Sequence, residues 1–108
     1  MPVITVNIEA NLFWRVAKDR KAGFWVGECP PLKLAAQGKT FAELLESIDD
    51  GLQLFFRDVL QAGELKAFLR EHGWKILTPL PTTKSRVRFD VPYEIRQRTA
   101  HDLQTALN

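Results

Sequence analysis

Residues 29–48, "CPPLKLAAQGKTFAELLESI", hold the change of periodicity that decides the fold. Up to Ala36 the apolar residues form a short extended run, and from Phe41 they recur at helical spacing. Between the two, Gly38 permits a backbone turn. Thr40 and Glu43 have capping-box spacing: the hydroxyl accepts from the third helical amide and the carboxylate reaches back. Phe41, Leu44, Leu45, Ile48, Leu52, Phe55, Phe56 and Val59 make one stripe, and Glu43, Glu46, Asp49, Asp50, Gln53 and Asp58 occupy the other side. This predicts an amphipathic helix over 40–62 with Gly63 as its C-cap. Gly51 weakens its middle by about 1 kcal/mol relative to alanine.

Upstream, "VITVNIEANLFWRVAK" (3–18) alternates, with Ile4, Val6, Ile8, Ala10, Leu12, Trp14 and Val16 in one set. Period-two alternation indicates strand with one buried face. Sixteen residues are long for one strand, so a break is expected near Glu9-Ala10-Asn11. "DRKAG" (19–23) reads as a polar turn and "FWVGEC" (24–29) as a strand forming a hairpin with the first. Pro30-Pro31 ends that ladder, because proline has no amide donor, and "LKLAA" (32–36) is a third short strand. Residues 3–36 are thus expected to form a three-stranded antiparallel meander covered by the helix.

Downstream come a short helix, "ELKAFLREHG" (64–73), a strand candidate, "WKIL" (74–77), and an extended segment, "TPLPTTKS" (78–85). "RVRFDV" (86–91) alternates, and Pro92 suits the first turn of a final helix with the stripe Ile95, Thr99, Leu103, Ala106 and Leu107. The expected fold class is α+β: an antiparallel three- or four-stranded sheet with a long helix on one face, in the order β-β-β-α-α-β, plus a C-terminal strand-helix arm. The expected organisation is a domain over 1–77, a linker over 78–85 and the arm over 86–108. A lone ribbon and helix cannot bury their own stripe. The arm must therefore pack on the domain or on another subunit, and pairing between chains in a homodimer or higher oligomer is the favoured expectation.

The 108 residues fit one domain, and 45% apolar and 26% charged residues match a globular protein with a real core. Fifteen basic against thirteen acidic side chains leave a net charge of +2, which does not select nucleic acid as partner. Cys29 is the only cysteine, so an intrachain disulfide and a four-cysteine zinc site are excluded and a reducing compartment is the simplest home. "MPVITVNIEA" lacks the basic flank and apolar core of a signal peptide, and no run reaches membrane-spanning length. These features describe a cytoplasmic protein without a membrane partner.

Candidate chemistry is sparse. A two-metal nuclease needs clustered carboxylates, and the early strands offer only Glu9 and Glu28. His72 precedes a capping glycine, where its charge favours the helix C-terminus. His101 and Asp102 are sequence neighbours, which do not face each other on a helix. No patterned histidine accompanies Cys29, and "GKT" lacks the upstream glycine of a phosphate loop. No catalytic residue, metal ligand or cofactor is expected. The basic clusters "KDRK" (18–21) and "KSRVR" (84–88) read first as solvated turns. Phe24 and Trp25 point to opposite faces; core packing is the first reading, and an exposed ring would anchor a protein or stack on a base.

The stretch "FWVGECPPLKLAAQGKTFAELLESIDDGLQLFF" (24–56), with β-β-β-α order and Gly-polar-Thr before an Ala/Glu/Leu-rich helix, resembles the HicB-like antitoxin family. The resemblance covers about residues 3–77; "ECPPLKLAA" stands where the family usually has Pro-acid-Leu-Pro-Gly. It implies a partial RNase H-like domain without the nuclease centre. It also implies a non-catalytic binding protein that occludes a small RNA-cleaving, HicA-like toxin; the candidate partner-binding residues are Phe24, Trp25, Pro30 and Pro31. The alternatives are a nucleic-acid-binding autoregulator that presents Arg86 and Arg88 of the strand-helix to DNA, and a small hydrolase or nuclease.

Overall fold

The computed structural model describes residues 3–80 and 86–97, and over these the protein is α+β. In chain order the elements are β1 (Ile4–Glu9), β2 (Leu12–Asp19), β3 (Phe24–Cys29), β4 (Leu34–Gly38), α1 (Phe41–Gln61), α2 (Leu65–His72), β5 (Lys75–Ile76), β6 (Val87–Asp90) and β7 (Tyr93–Gln97). The strands form two sheets, ordered β5-β1-β6 and β4-β3-β2-β7. The expected break in the first strand falls at Ala10-Asn11, between β1 and β2.

Two compact units result. The first comprises Met1–Asn11 with Leu52–Pro92, and the second Leu12–Gly51 with Tyr93–Asn108. These units cut across the expected division into 1–77, 78–85 and 86–108, because the C-terminal strands return to pair with the N-terminal ones. β6 lies parallel to β1, with Ile4 opposite Val87, and β7 lies parallel to β2, with Leu12 opposite Tyr93. Both sheets are therefore mixed rather than antiparallel. The antiparallel meander starts at β2, not at residue 3, and β1 belongs to the other sheet.

The expected C-terminal helix is replaced over Tyr93–Gln97 by β7, and the remainder of the expected helix lies outside the described residues. Val91-Pro92 interrupts the strand as Ala10-Asn11 does on the other side of the ladder. The pairing offset is 83 residues between β1 and β6 and 81 between β2 and β7, so the N-terminal chain uses two more residues between ladders.

In the second unit, Leu12, Trp14 and Val16 of β2 share a face with Trp25, Gly27 and Cys29 of β3, since side chains alternate and register partners point the same way. The first half of α1 packs on that face. The Phe41 ring meets Trp25 edge-on at 5.1 Å, and Leu44 and Ile48 are fully buried. Gly27 makes room for this packing: a β-carbon there would lie 3.2 Å from Val16 Cγ1 and 3.5 Å from Leu44 Cδ1. The Trp14 indole N–H is buried with no hydrogen-bond partner, a cost that the burial of its ring offsets.

In the first unit, Val6, Ile8 and Phe89 of the sheet are buried with Phe56 of α1 and Leu65 and Leu69 of α2. Phe56 stacks at 5.7 Å on Phe89 and meets Phe68 edge-on at 6.3 Å. Gln53 binds the β6 backbone twice: its Oε1 accepts from the Phe89 N–H at 2.8 Å and its Nε2 donates to the Phe89 carbonyl at 2.7 Å. A helix side chain thus takes the place of a neighbouring strand at this point of the edge.

The strand-to-helix junction has the capping the sequence predicts, with one change. Thr40 Oγ1 accepts from the Glu43 N–H at 3.1 Å, but Glu43 Oε2 accepts from the Lys39 N–H at 2.8 Å, one residue before the cap. Gly38 serves close approach rather than a positive-φ turn. A β-carbon on it would collide with the Leu44 backbone nitrogen and sit 2.7 Å from the Glu43 carbonyl carbon. Among the described residues no helix is long and apolar enough to cross a membrane.

Candidate functional site

The β2-β3-β4-β7 sheet has a second face, which α1 does not cover. It carries Phe13, Arg15 and Ala17 of β2, Phe24, Val26 and Glu28 of β3, and Arg96 of β7. Ala17 on this face is fully buried, and the Arg15 Nε is buried without a hydrogen-bond partner. Phe13, Phe24 and Val26 are half-buried there. The Arg96 guanidinium lies 4.0 Å from the Phe13 ring centroid and that of Arg15 at 5.5 Å, within cation–π range. Arg15, half-buried, pairs with exposed Glu28 at 3.7 Å, and exposed Arg96 pairs with exposed Glu94 at 3.5 Å. Such pairs contribute little stability but hold an apolar patch inside a fence of both charges.

The meander ends at a sheet edge. Pro30 to Lys33 turn the chain between β3 and β4: the Leu32 N–H donates to the Cys29 carbonyl at 3.2 Å and the Lys33 N–H to that of Pro30 at 3.3 Å. Lys33 takes the left-handed conformation, φ 56°. β4 follows with no charge and no proline, and Ala35 and Gln37 are exposed. Exposed Lys33 and Lys39 bracket it, and neither side chain engages another described residue.

The four residues expected to meet a protein partner thus have different placements. Phe24 is on the uncovered face, whereas Trp25 turns its ring onto Phe41 on the helix face. Pro30 is exposed and Pro31 half-buried in the turn leading to the β4 edge. Arg86 and Arg88 are exposed in the first unit; the Arg86 carbonyl accepts from the Ile4 N–H at 2.9 Å, and Arg88 stands opposite Thr5. Their strand, β6, is paired within the chain with β1 and lies at the edge of its sheet. The basic turn at 18–21 is organised by Asp19, whose Oδ1 accepts from the N–H groups of Lys21 and Ala22 at 3.0 and 3.1 Å.

The remaining candidates for chemistry have structural surroundings. Cys29 is fully buried, and burial raises its thiol above the ordinary value, which keeps it protonated and unreactive. His72 lies with its ring centroid 4.3 Å from that of Phe68 and 4.6 Å from that of Trp74. Its Nδ1, when protonated, donates to the Phe68 carbonyl at 3.0 Å. Glu9 is opposite Lys75 on β5, and Glu28 is paired with Arg15. Among the described residues no group of three or more His, Cys, Asp or Glu side chains converges as a metal site would require. His101 and Asp102 lie outside the described residues.

Two features of this region have little or no local signature in the sequence. The clamp of Gln53 on Phe89 has no local signature, since a polar residue on a polar helix face is ordinary. The uncovered face was in principle visible as Phe13, Ala17 and Val26, the residues that break a strict apolar–polar alternation. No protein-family model, curated protein or solved structure matches this chain.

Proposed function

We propose that this chain is a non-catalytic binding protein, a HicB-like antitoxin that masks a small RNA-cleaving toxin by covering its active surface. The observation that supports this most is the asymmetry of the β4-β3-β2-β7 sheet. Packing by Phe41, Leu44 and Ile48 stiffens it from one side. Its other face keeps half-buried Phe13, Phe24 and Val26, and its β4 edge is uncharged. A rigid sheet with an aromatic patch and a free edge suits recognition by surface complementarity and strand addition. The same meander and helix start hold residues 24–56, on which the HicB resemblance rests.

Mixing the purified chain with the protein encoded by the adjacent reading frame tests this. A stable complex of defined mass in light scattering, lost on Phe24→Asp with folding retained, is the expected result. Two folded proteins that elute separately at micromolar concentration contradict the reading.

A further inference from the structure

Four strands bound the two sheets, and three of them are poorly suited to accept another strand. β5 has two residues. β6 is engaged at Phe89 by both ends of the Gln53 amide. β7 carries Glu94 and Arg96, and charged side chains blunt an edge. β4 has none of these protections: it is five residues long, uncharged and free of proline, and it pairs only with β3 among the described residues.

The charges that do protect β4 stand at its ends. Lys33 precedes it and Lys39 follows it, both exposed and unengaged among the described residues. A second copy of the chain is a poor occupant. Two β4 strands pairing antiparallel about Ala36 would bring Lys33 of each copy against Lys39 of the other. Like charges directly opposite are destabilising. A strand with carboxylates at both ends of a short apolar stretch meets the same two lysines favourably.

We infer that the β4 edge is a docking site for an extended segment of a partner protein, about five residues of small or β-branched side chains flanked at each end by Asp or Glu. Backbone hydrogen bonds to β4 supply affinity, and the Lys33 and Lys39 pairs fix register and disfavour a homodimer paired about Ala36. This deepens the binding-protein reading and rests on it.

The probe is a capped nine-residue peptide with two aspartates at each end of a Val-Thr-Val-Thr-Val segment, with a control bearing lysines in their place. Amide shifts and hydrogen exchange of the full chain give the location of binding. The acidic peptide is expected to perturb and protect amides within Leu34–Gly38, and the control to leave them unchanged. Lys33→Glu combined with Lys39→Glu should weaken the acidic peptide by about tenfold and admit the lysine-flanked one. A thermal melt checks that the double variant folds. Should it not fold, Lys39→Glu alone, at an exposed site before the helix, carries the same test with about a threefold effect.

The inference is overturned by protection confined to β7 or to the uncovered face, by no protection at millimolar peptide, or by indifference to charge reversal. Concentration-dependent protection of β4 without peptide overturns it in favour of a second copy. Toxin inhibition that survives charge reversal defeats the strand model alone. Peptide binding without toxin inhibition defeats the toxin reading alone.

Discussion

Gly38 and Gly51 look alike as single letters and differ in what surrounds them. A methyl group at Gly38 meets the helix backbone at Glu43 and Leu44, which cannot move as a flexible side chain would; one at Gly51 meets nothing within 4 Å. Gly38→Ala should therefore cost about 2–3 kcal/mol through overpacking, while Gly51→Ala should add about 0.5–1 kcal/mol of helix stability. Urea unfolding of the pair reads opposite shifts in midpoint, and equal shifts would contradict the close approach. The cap was legible because Thr40 and Glu43 are local. The reason for Gly38 was not, because its neighbours are fixed by packing.

At Cys29, burial favours the neutral thiol, as it does for Tyr93, where burial acts first and the Asp49 carboxylate second. Both folded values are raised, so their stabilising contribution is complete below the unfolded thiol value, about pH 8.5, and is lost as pH rises through the folded values. Unfolding midpoints should fall on the alkaline side, less steeply in Cys29→Ala. A thiol reagent should label Cys29 only as fast as the protein opens; rapid labelling of the folded state would refute its burial.

Among the elements, those with long or strict patterns were readable and those depending on a distant partner were not. Helix 40–62 was expected and α1 spans Phe41–Gln61; 64–73 was expected and α2 spans Leu65–His72. "YEIRQ" was expected to open a final helix after Pro92, with Ile95 on its stripe, although Tyr93 and Ile95 fit a strand as well. Parallel pairing with β2 resolves it as strand. No residue in 93–97 advertises that partner, 81 positions away.

The β6 edge depends on Gln53 in the same non-local manner. Gln53→Ala removes two hydrogen bonds and leaves the Phe89 amide and carbonyl without that partner. A loss of about 1–3 kcal/mol is expected, with faster exchange of the Phe89 amide. Unchanged exchange there would show that the clamp contributes little in solution.

For the molecule as a whole, the C-terminal strands are structural. β6 and β7 are the parallel partners of β1 and β2, and Phe89 and Val91 are buried. A chain ending at residue 85 should lose cooperative unfolding instead of shedding an appendage, since β1 would keep only two-residue β5 as a partner. A truncated chain that melts like the full one would restore the picture of a separate arm. The coarse α+β class was legible in the switch from period two to period 3.6, whereas the division into two sheets was not, because it follows from pairings between the ends of the chain.

We propose that the chain acts by binding its partner stoichiometrically and not as a catalyst. RNA cleavage by the protein of the adjacent reading frame, titrated with the purified chain, tests this most directly. The rate is expected to fall linearly and to reach its floor at a fixed molar ratio, with both proteins recovered intact. Cleavage that is unaffected at excess chain, or abolished by a small fraction of an equivalent, would contradict it.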